Sequence, residues 1–213
     1  MVPWMADSST GRCPACLPQG AALKQNGLEV IPNPKQVEVD FTIKEIREIH
    51  TIAHGWMDAS AAKQDKRYGS VSGKGIPRSD FNTVLAGALG PYAFRKHTGI
   101  EVDLEPRTGG DPGWDAVCHG NRLEIKTYTG LLAFEHMGLF KADIAVLINF
   151  RSSPQGPDCK RVWIQGWIWR DMFENLSFKH SLGHGERLCV QPISLNPIDI
   201  LIQTCETFSK EAP

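Results

Sequence analysis

No apolar run in this chain approaches the ~20 residues that a membrane-crossing helix needs. The longest, Ala142 to Phe150, is already broken by Asp143 and Asn149. No basic residue leads into an apolar run between Met1 and Thr10, so this stretch is not read as a secretory signal. The expectation is a chain without a membrane partner, in a cytoplasm that association alone makes bacterial or phage-encoded. An excess of one charge is also missing: 23 Lys+Arg stand against 24 Asp+Glu, a net charge of −1. Any nucleic-acid role must then rest on local patches. There is no glycine-rich phosphate loop, no Gly-x-Ser-x-Gly elbow, and no Cys/His pair with an orienting third group. Those absences set aside the common nucleotide-binding and covalent-hydrolase patterns.

What is present suits one medium domain. The chain has 213 residues, 41% hydrophobic and 22% charged, enough to build a core without staples. Cysteines at 13, 16, 118, 159, 189 and 205 read as reduced thiols. Residues 1–36 read as a flexible arm, punctuated by Pro3, Pro14, Pro18, Pro32 and Pro34, and residues 37–213 as the folded domain. Within the domain, Phe41, Ile46, Ile49, Ile52, Ala53 and Trp56 recur at helical steps. That helix takes Asp40 as its N-cap and runs to about Gln64. The stretch Lys63–Arg78 has five positive charges, one negative charge and three glycines, and reads as a mobile basic loop. Its Lys63, Lys66, Arg67, Lys74 and Arg78 are candidates for neutralising DNA phosphates.

A second helix starts at Ser79 or Asp80, is interrupted at Gly90-Pro91, and closes at Gly99. The period then changes to that of strands, expected near 100–104, 114–118, 122–127, 143–150 and 161–168. A helix near 169–176 and a strand near 187–191 follow, and Ile198–Ile202 is a last strand or a short helix. This order predicts an α/β (α+β) domain with one mixed sheet.

The segment that carries chemistry is Trp114-Asp-Ala-Val-Cys-His-Gly-Asn-Arg-Leu-Glu-Ile-Lys126. Two short strands flank a His119-Gly120-Asn121 turn. With His119 and Gly120 at the centre of the turn, Asp115 lies opposite Glu124, and Lys126 shares the Glu124 face. Two adjacent carboxylates repel unless a cation lies between them. Hard oxygen ligands select Mg²⁺ or Mn²⁺, and the Ile125 carbonyl can add a third donor. Lys126 can orient a water and stabilise developing negative charge. These are the parts needed for phosphodiester hydrolysis. The same residues, as a bare spacing, also suit a surface hairpin with an ion pair.

Asp115…Glu124-Ile125-Lys126 resembles the PD-(D/E)xK motif of the restriction-endonuclease-like nuclease superfamily, and the surroundings are similar too. Gly87-Ala-Leu-Gly-Pro-Tyr-Ala-Phe94 looks like the small-residue helix that precedes that motif. Ala142–Ile148 and Val162–Ile168 look like the strands that follow it. The resemblance covers roughly residues 38–202. It implies a mixed central sheet flanked by helices and a metal-dependent nuclease acting on DNA, with RNA left open as a substrate and a homodimer one compatible state. It implies Asp115, Glu124 and Lys126 as catalytic residues, with Asp115, Glu124 and Ile125 holding Mg²⁺ or Mn²⁺. One departure stands out. Pro91 occupies a position where related proteins often carry a supporting Glu, so Glu101, Asp103 or Glu105 substitutes, the second metal is weak or absent, or the fold is kept without activity. Asp111 is a rival for the first acid, more simply read as a turn cap.

The other candidates are weaker. Cys13-Pro-Ala-Cys16 has half the spacing of a zinc site and lacks a second pair. Trp163 and Trp167 fall on one strand face by parity, where packing is a better account than base stacking. His180 and His184 lie four apart in a loop, where that spacing carries no meaning.

Overall fold

The apolar stretch that opens at Ile144 is buried residue after residue as far as Asn149. Only a strand covered on both faces takes such a sequence. In the computed structural model of the chain, which describes residues 23–25, 27–67, 81–106, 113–153, 156–182 and 185–210, this strand is the middle of a five-stranded mixed sheet. In chain order the elements are β1 (Leu23–Gln25), β2 (Leu28–Val30), β3 (Val37–Asp40), α1 (Ile43–Arg67), α2 (Phe81–Thr98), β4 (Ala116–Cys118), β5 (Asn121–Tyr128), β6 (Leu132–Phe134), β7 (Ile144–Ser153), β8 (Gly156–Trp169), α3 (Arg170–Leu176), β9 (Phe178–Ser181), β10 (Glu186–Val190) and α4 (Leu201–Lys210). The large sheet runs β3-β8-β7-β5-β4, and β5 and β7 are its parallel pair. A three-stranded sheet, β6-β10-β9, and a β1-β2 hairpin complete the strands. The domain is thus mixed α/β, with four α-helices among the described residues. None of them is long and apolar enough to cross a membrane.

Two cores form on the two faces of the large sheet. On one, α1 and α2 pack against Leu123, Ile125, Val146, Ile148, Val162 and Ile164. On the other, Leu132, Phe134, Phe140 and Phe173 pack against Ala145, Leu147 and Ile168. The alternation of β5 therefore sends Ile125 toward the helices and its neighbours Glu124 and Lys126 toward the second core.

Helix α1 does not use Asp40 as its cap. Asp40 ends β3 and pairs with Arg161 at 2.6 Å. The helix is started by Thr42, whose Oγ1 accepts the Glu45 N–H at 3.3 Å while Glu45 Oε2 accepts the Thr42 N–H at 2.7 Å. This is a reciprocal capping box. Glu45 also holds Lys96 of α2 at 2.7 Å, and Tyr92 Oη donates to Glu48 at 2.8 Å, clasping the two helices together. Burial and the Glu48 carboxylate push the Tyr92 hydroxyl up to about 12. The hydrogen bond from Lys96 is the main cause that lowers Glu45 from 4.5 to about 2. A carboxyl lowered on folding stabilises above its unfolded value and loses that contribution as pH falls through the folded one. Part of the stability should therefore disappear between pH 4.5 and about 2. Lys96→Met should flatten that part of a stability-against-pH curve measured by urea unfolding.

Helix α2 runs unbroken through Gly90-Pro91, where an interruption was expected. The packing overrides the local preference: Leu85 to Phe94 are buried apart from Gly87, and the helix lies directly on β5. At Gly90 a Cβ would overlap Thr127 Oγ1 and lie 3.2 Å from Thr127 Cβ. Gly90→Ala should cost about 2 kcal/mol in spite of the better helix propensity of alanine. Adding Thr127→Ala should recover most of the loss, since Thr127 Oγ1 is buried with no hydrogen-bond partner among the described residues. Denaturant unfolding of the two single variants and the pair gives the coupling.

Other boundaries move as well. Residues 28–36, read from sequence as part of the arm, pack on the body. Val30 is buried, the Asn33 N–H donates to Gln165 at 3.1 Å, and Asn33 Nδ2 donates to the Leu195 carbonyl at 2.9 Å. The strand expected at 100–104 shrinks to one bridge, Val102 with Ala116. The C-terminal segment is a single turn of 3₁₀ helix at Ile198–Ile200 leading into α4. Trp163 and Trp167 lie on opposite faces. The β7–β8 register shifts between Leu147 and Ile148, so Ile164 and Trp167 both reach the helix-side core while Trp163 faces away beside Glu38. Cys118, Cys159, Cys189 and Cys205 are free thiols; Cys13 and Cys16 lie outside the described residues.

Candidate active site

The β4–β5 hairpin closes through His119 and Gly120, with φ of 48° and 85°. Positive φ at both central residues is what a two-residue turn between twisted strands requires. The pairing is Cys118 with Asn121, Val117 with Arg122 and Ala116 with Leu123. Asp115 comes next, and there the ladder bends. Its N–H donates to the Leu123 carbonyl at 2.7 Å, while its own carbonyl accepts the Asp103 N–H at 3.0 Å from the other side. In a regular strand both groups of one residue point the same way. The turned backbone lays the carboxylate across the edge of β5, where Asp115 Oδ2 accepts the Ile125 N–H at 2.5 Å. The Ile125 carbonyl shares the direction of its N–H, so it faces the same edge.

Glu124 and Lys126 project from the next positions of β5 on one face. Glu124 is 9% exposed, and its Oε1 forms an ion pair with Lys126 Nζ. Lys126 Nζ also lies 5.1 Å from the centre of the Phe134 ring, a cation–π contact supplied by the second core. Asp115, just before β4, is thus bonded to the β5 backbone at Ile125, between the paired Glu124 and Lys126. The oxygen donors suit a hard divalent cation such as Mg²⁺ or Mn²⁺, which leaves further positions for water. Among the described residues no three His, Cys, Asp or Glu side chains form a metal cluster; the set here is two acids and a carbonyl.

Of the candidates for a supporting acid, Glu101, Asp103 and Glu105 are all exposed; the Asp103 N–H donates to the Asp115 carbonyl, and Asp103 Oδ1 accepts the Glu105 N–H at 3.1 Å. Asp111 lies outside the described residues. Pro91 belongs to α2, which packs on the Ile125 face of the sheet, opposite the face of Glu124 and Lys126. Of the basic candidates, Lys63, Lys66 and Arg67 are on the last turns of α1 and not in a loop, because the helix continues past Gln64. Lys74 and Arg78 lie outside the described residues.

Sequence reasoning passed over Arg122, Asp143 and Trp114. Arg122 Nε and Nη2 donate to Asp143 Oδ2 and Oδ1 at 3.0 and 2.9 Å, and the Arg122 N–H adds a bond to Oδ2 at 2.8 Å. The guanidinium carbon lies 5.3 Å from the Trp114 ring centre. The hydrogen bonds between the two hold Asp143 below the ordinary carboxyl range and raise Arg122. The visible signal was the position of Arg122, two residues before Glu124 on one strand face.

A cleft of about 660 Å³ opens between the start of α2 and the β7–β8 hairpin, with Asn82, Thr83, Ile125, Lys126, Thr127 and Ser152 in its walls. It reaches the candidate site through Ile125 and Lys126. No family model matches the chain, and neither a curated protein nor a solved structure matches it.

Proposed function

We propose that the protein is a metal-dependent nuclease that hydrolyses phosphodiester bonds of DNA on a restriction-endonuclease-like core. The observation that carries this reading is the bend at Asp115. It takes the carboxylate out of the strand ladder and ties it to the Ile125 N–H, beside Glu124 and Lys126. A hairpin built only for stability has no need of a second acid at that point, since like charges there repel. The order of elements supports the same core: α2, the Val102 bridge, β4 and β5 as a meander, then β7 parallel to β5.

In this reading Asp115, Glu124 and the Ile125 carbonyl would hold Mg²⁺ or Mn²⁺, which when bound acidifies a water and offsets phosphate charge. The Ile125 N–H fixes the Asp115 carboxylate against the edge of β5. Lys126 donates to the attacking water and to the charge developing on the phosphate. Phe134 limits where its ammonium can go.

A second reading, a catalytically silent nucleic-acid-binding or assembly module with the same core, is favoured by the lack of a third acid grouped with Asp115 and Glu124 among the described residues. Incubating supercoiled and single-stranded DNA with Mg²⁺, Mn²⁺ or EDTA separates the two. Cutting that needs metal and disappears in Asp115→Ala is the expected result. Retained DNA binding with no cutting under either metal would establish the silent module.

A further inference from the structure

On β5 the side chains of Arg122, Glu124 and Lys126 follow one another on a single face, about 6.8 Å apart at each step. The last two belong to the proposed reaction centre. The first is prepared as a phosphate ligand. A guanidinium carries five N–H donors in a planar fork. Two of them go to Asp143, which leaves two along the outer Nη1–Nη2 edge and a third on Nη1 beside Cδ, with no described acceptor. Trp114, the residue before Asp115, covers one face of the plane at 5.3 Å. The Asp143 N–H returns to the Arg122 carbonyl at 2.9 Å, so the pair is tied at backbone and side chain alike. The Arg122 side chain is nevertheless 41% exposed. A group that served only to join the starts of β5 and β7 would have no use for a rigid, outward donor edge. A group that meets a phosphate gains from one, because the ordering cost is met before binding, and the fork matches phosphate oxygens.

We infer that Arg122, held by Asp143 and Trp114, binds the backbone phosphate next to the scissile one, on the side away from Lys126. This rests on the nuclease reading and adds the register of the strand across the site: scissile phosphate at Asp115, Glu124 and Lys126, its neighbour at Arg122. The attraction comes from directed hydrogen bonds more than from net charge, since Asp143 balances the guanidinium locally. Lysine, with the same charge and no fork, should not replace it.

The test is a phosphate walk in EDTA, where nothing is cut. Binding of fluorescein-labelled oligonucleotides, each with one backbone phosphate replaced by an uncharged methylphosphonate, is followed by anisotropy for the wild-type protein, Arg122→Gln and Arg122→Lys. Thermal unfolding checks that each variant is folded. Neutralising one phosphate should weaken wild-type binding about tenfold, the equivalent of one charge-assisted hydrogen bond. The same substitution should have no effect on either variant. The wild-type walk alone, with cutting restored by Mg²⁺, must place that phosphate next to the cleaved one, and this arm holds even if a variant fails to fold. A walk in which every methylphosphonate costs the variants as much as the wild type would overturn the assignment. So would a sensitive phosphate that is not adjacent to the cut. Binding without any cutting would instead sink the nuclease reading.

Discussion

Lys126→Ala should lower metal-dependent cleavage about a thousandfold, the range in which a positioned donor or proton carrier usually contributes. The same substitution should lower the unfolding free energy measured in EDTA by about 2 kcal/mol, between the values for exposed and for fully buried ion pairs. The reason is the position of the pair. The Glu124 side chain is 11% exposed and that of Lys126 29%, so the carboxylate loses its ammonium partner where water compensates poorly. If Asp115 and Glu124 hold the metal as proposed, Mg²⁺ should restore part of the lost stability, since the cation would replace the missing charge. Lys126→Met keeps an apolar stem over Phe134 and should lose as much activity with less change in stability. Single-turnover cleavage and urea unfolding, with and without Mg²⁺, give the four quantities. If Lys126→Ala retained more than about a tenth of the wild-type rate, a positioned donor would be contributing far less than such groups do, and Lys126 would be a structural partner of Glu124 only.

The hairpin and the central strand were legible in the sequence because local chemistry determines them. His119-Gly120 supplies the two positive φ values of the turn, and the apolar run from Ile144 suits a strand covered on both faces. The β4–β5 register therefore follows the turn residues as expected. What escaped depends on contacts between distant segments. Asp40 and Thr42 both precede an apolar helix, and only the Arg161 partner from β8 shows why Asp40 stays in a strand. Gly90-Pro91 reads as a break until β5 is present to hold the helix through it. The parity of Trp163 and Trp167 fails at a register shift set by β7. Arg122 and Asp143 are 21 residues apart, and no local pattern joins them. That Glu124 and Lys126 share a face was readable from spacing; Asp115 opposite Glu124 was not borne out, since the ladder ends at Ala116 and Leu123. The bend at Asp115 was not readable, since it arises from the Asp103 and Leu123 backbone bonds on its two sides.

Phe140→Ala should cost about 4 kcal/mol, the range for removing a buried aromatic ring. Phe134 and Phe140 stack at 4.5 Å, and Phe173 meets them edge-on at 5.2 and 5.6 Å; all three are at most 3% exposed. This cluster ties β6 to the sheet, and β6 carries the ring on which the Lys126 ammonium rests. Its role in stability and its role in positioning can be separated. Phe134→Leu keeps most of the volume and removes the π face, so it should cost only about 1 kcal/mol in folding yet slow cleavage about fivefold, the upper range of one exposed cation–π contact. The loss should appear in the single-turnover rate at saturating DNA, since the ring touches Lys126 and not the substrate. In Phe140→Ala the rate per folded molecule should fall as well, because the ring against which Phe134 stacks is gone. A rate that followed only the folded fraction in both variants would mean that Phe134 packs without orienting Lys126. The second core would then stabilise the sheet and leave the geometry of the ammonium to Glu124.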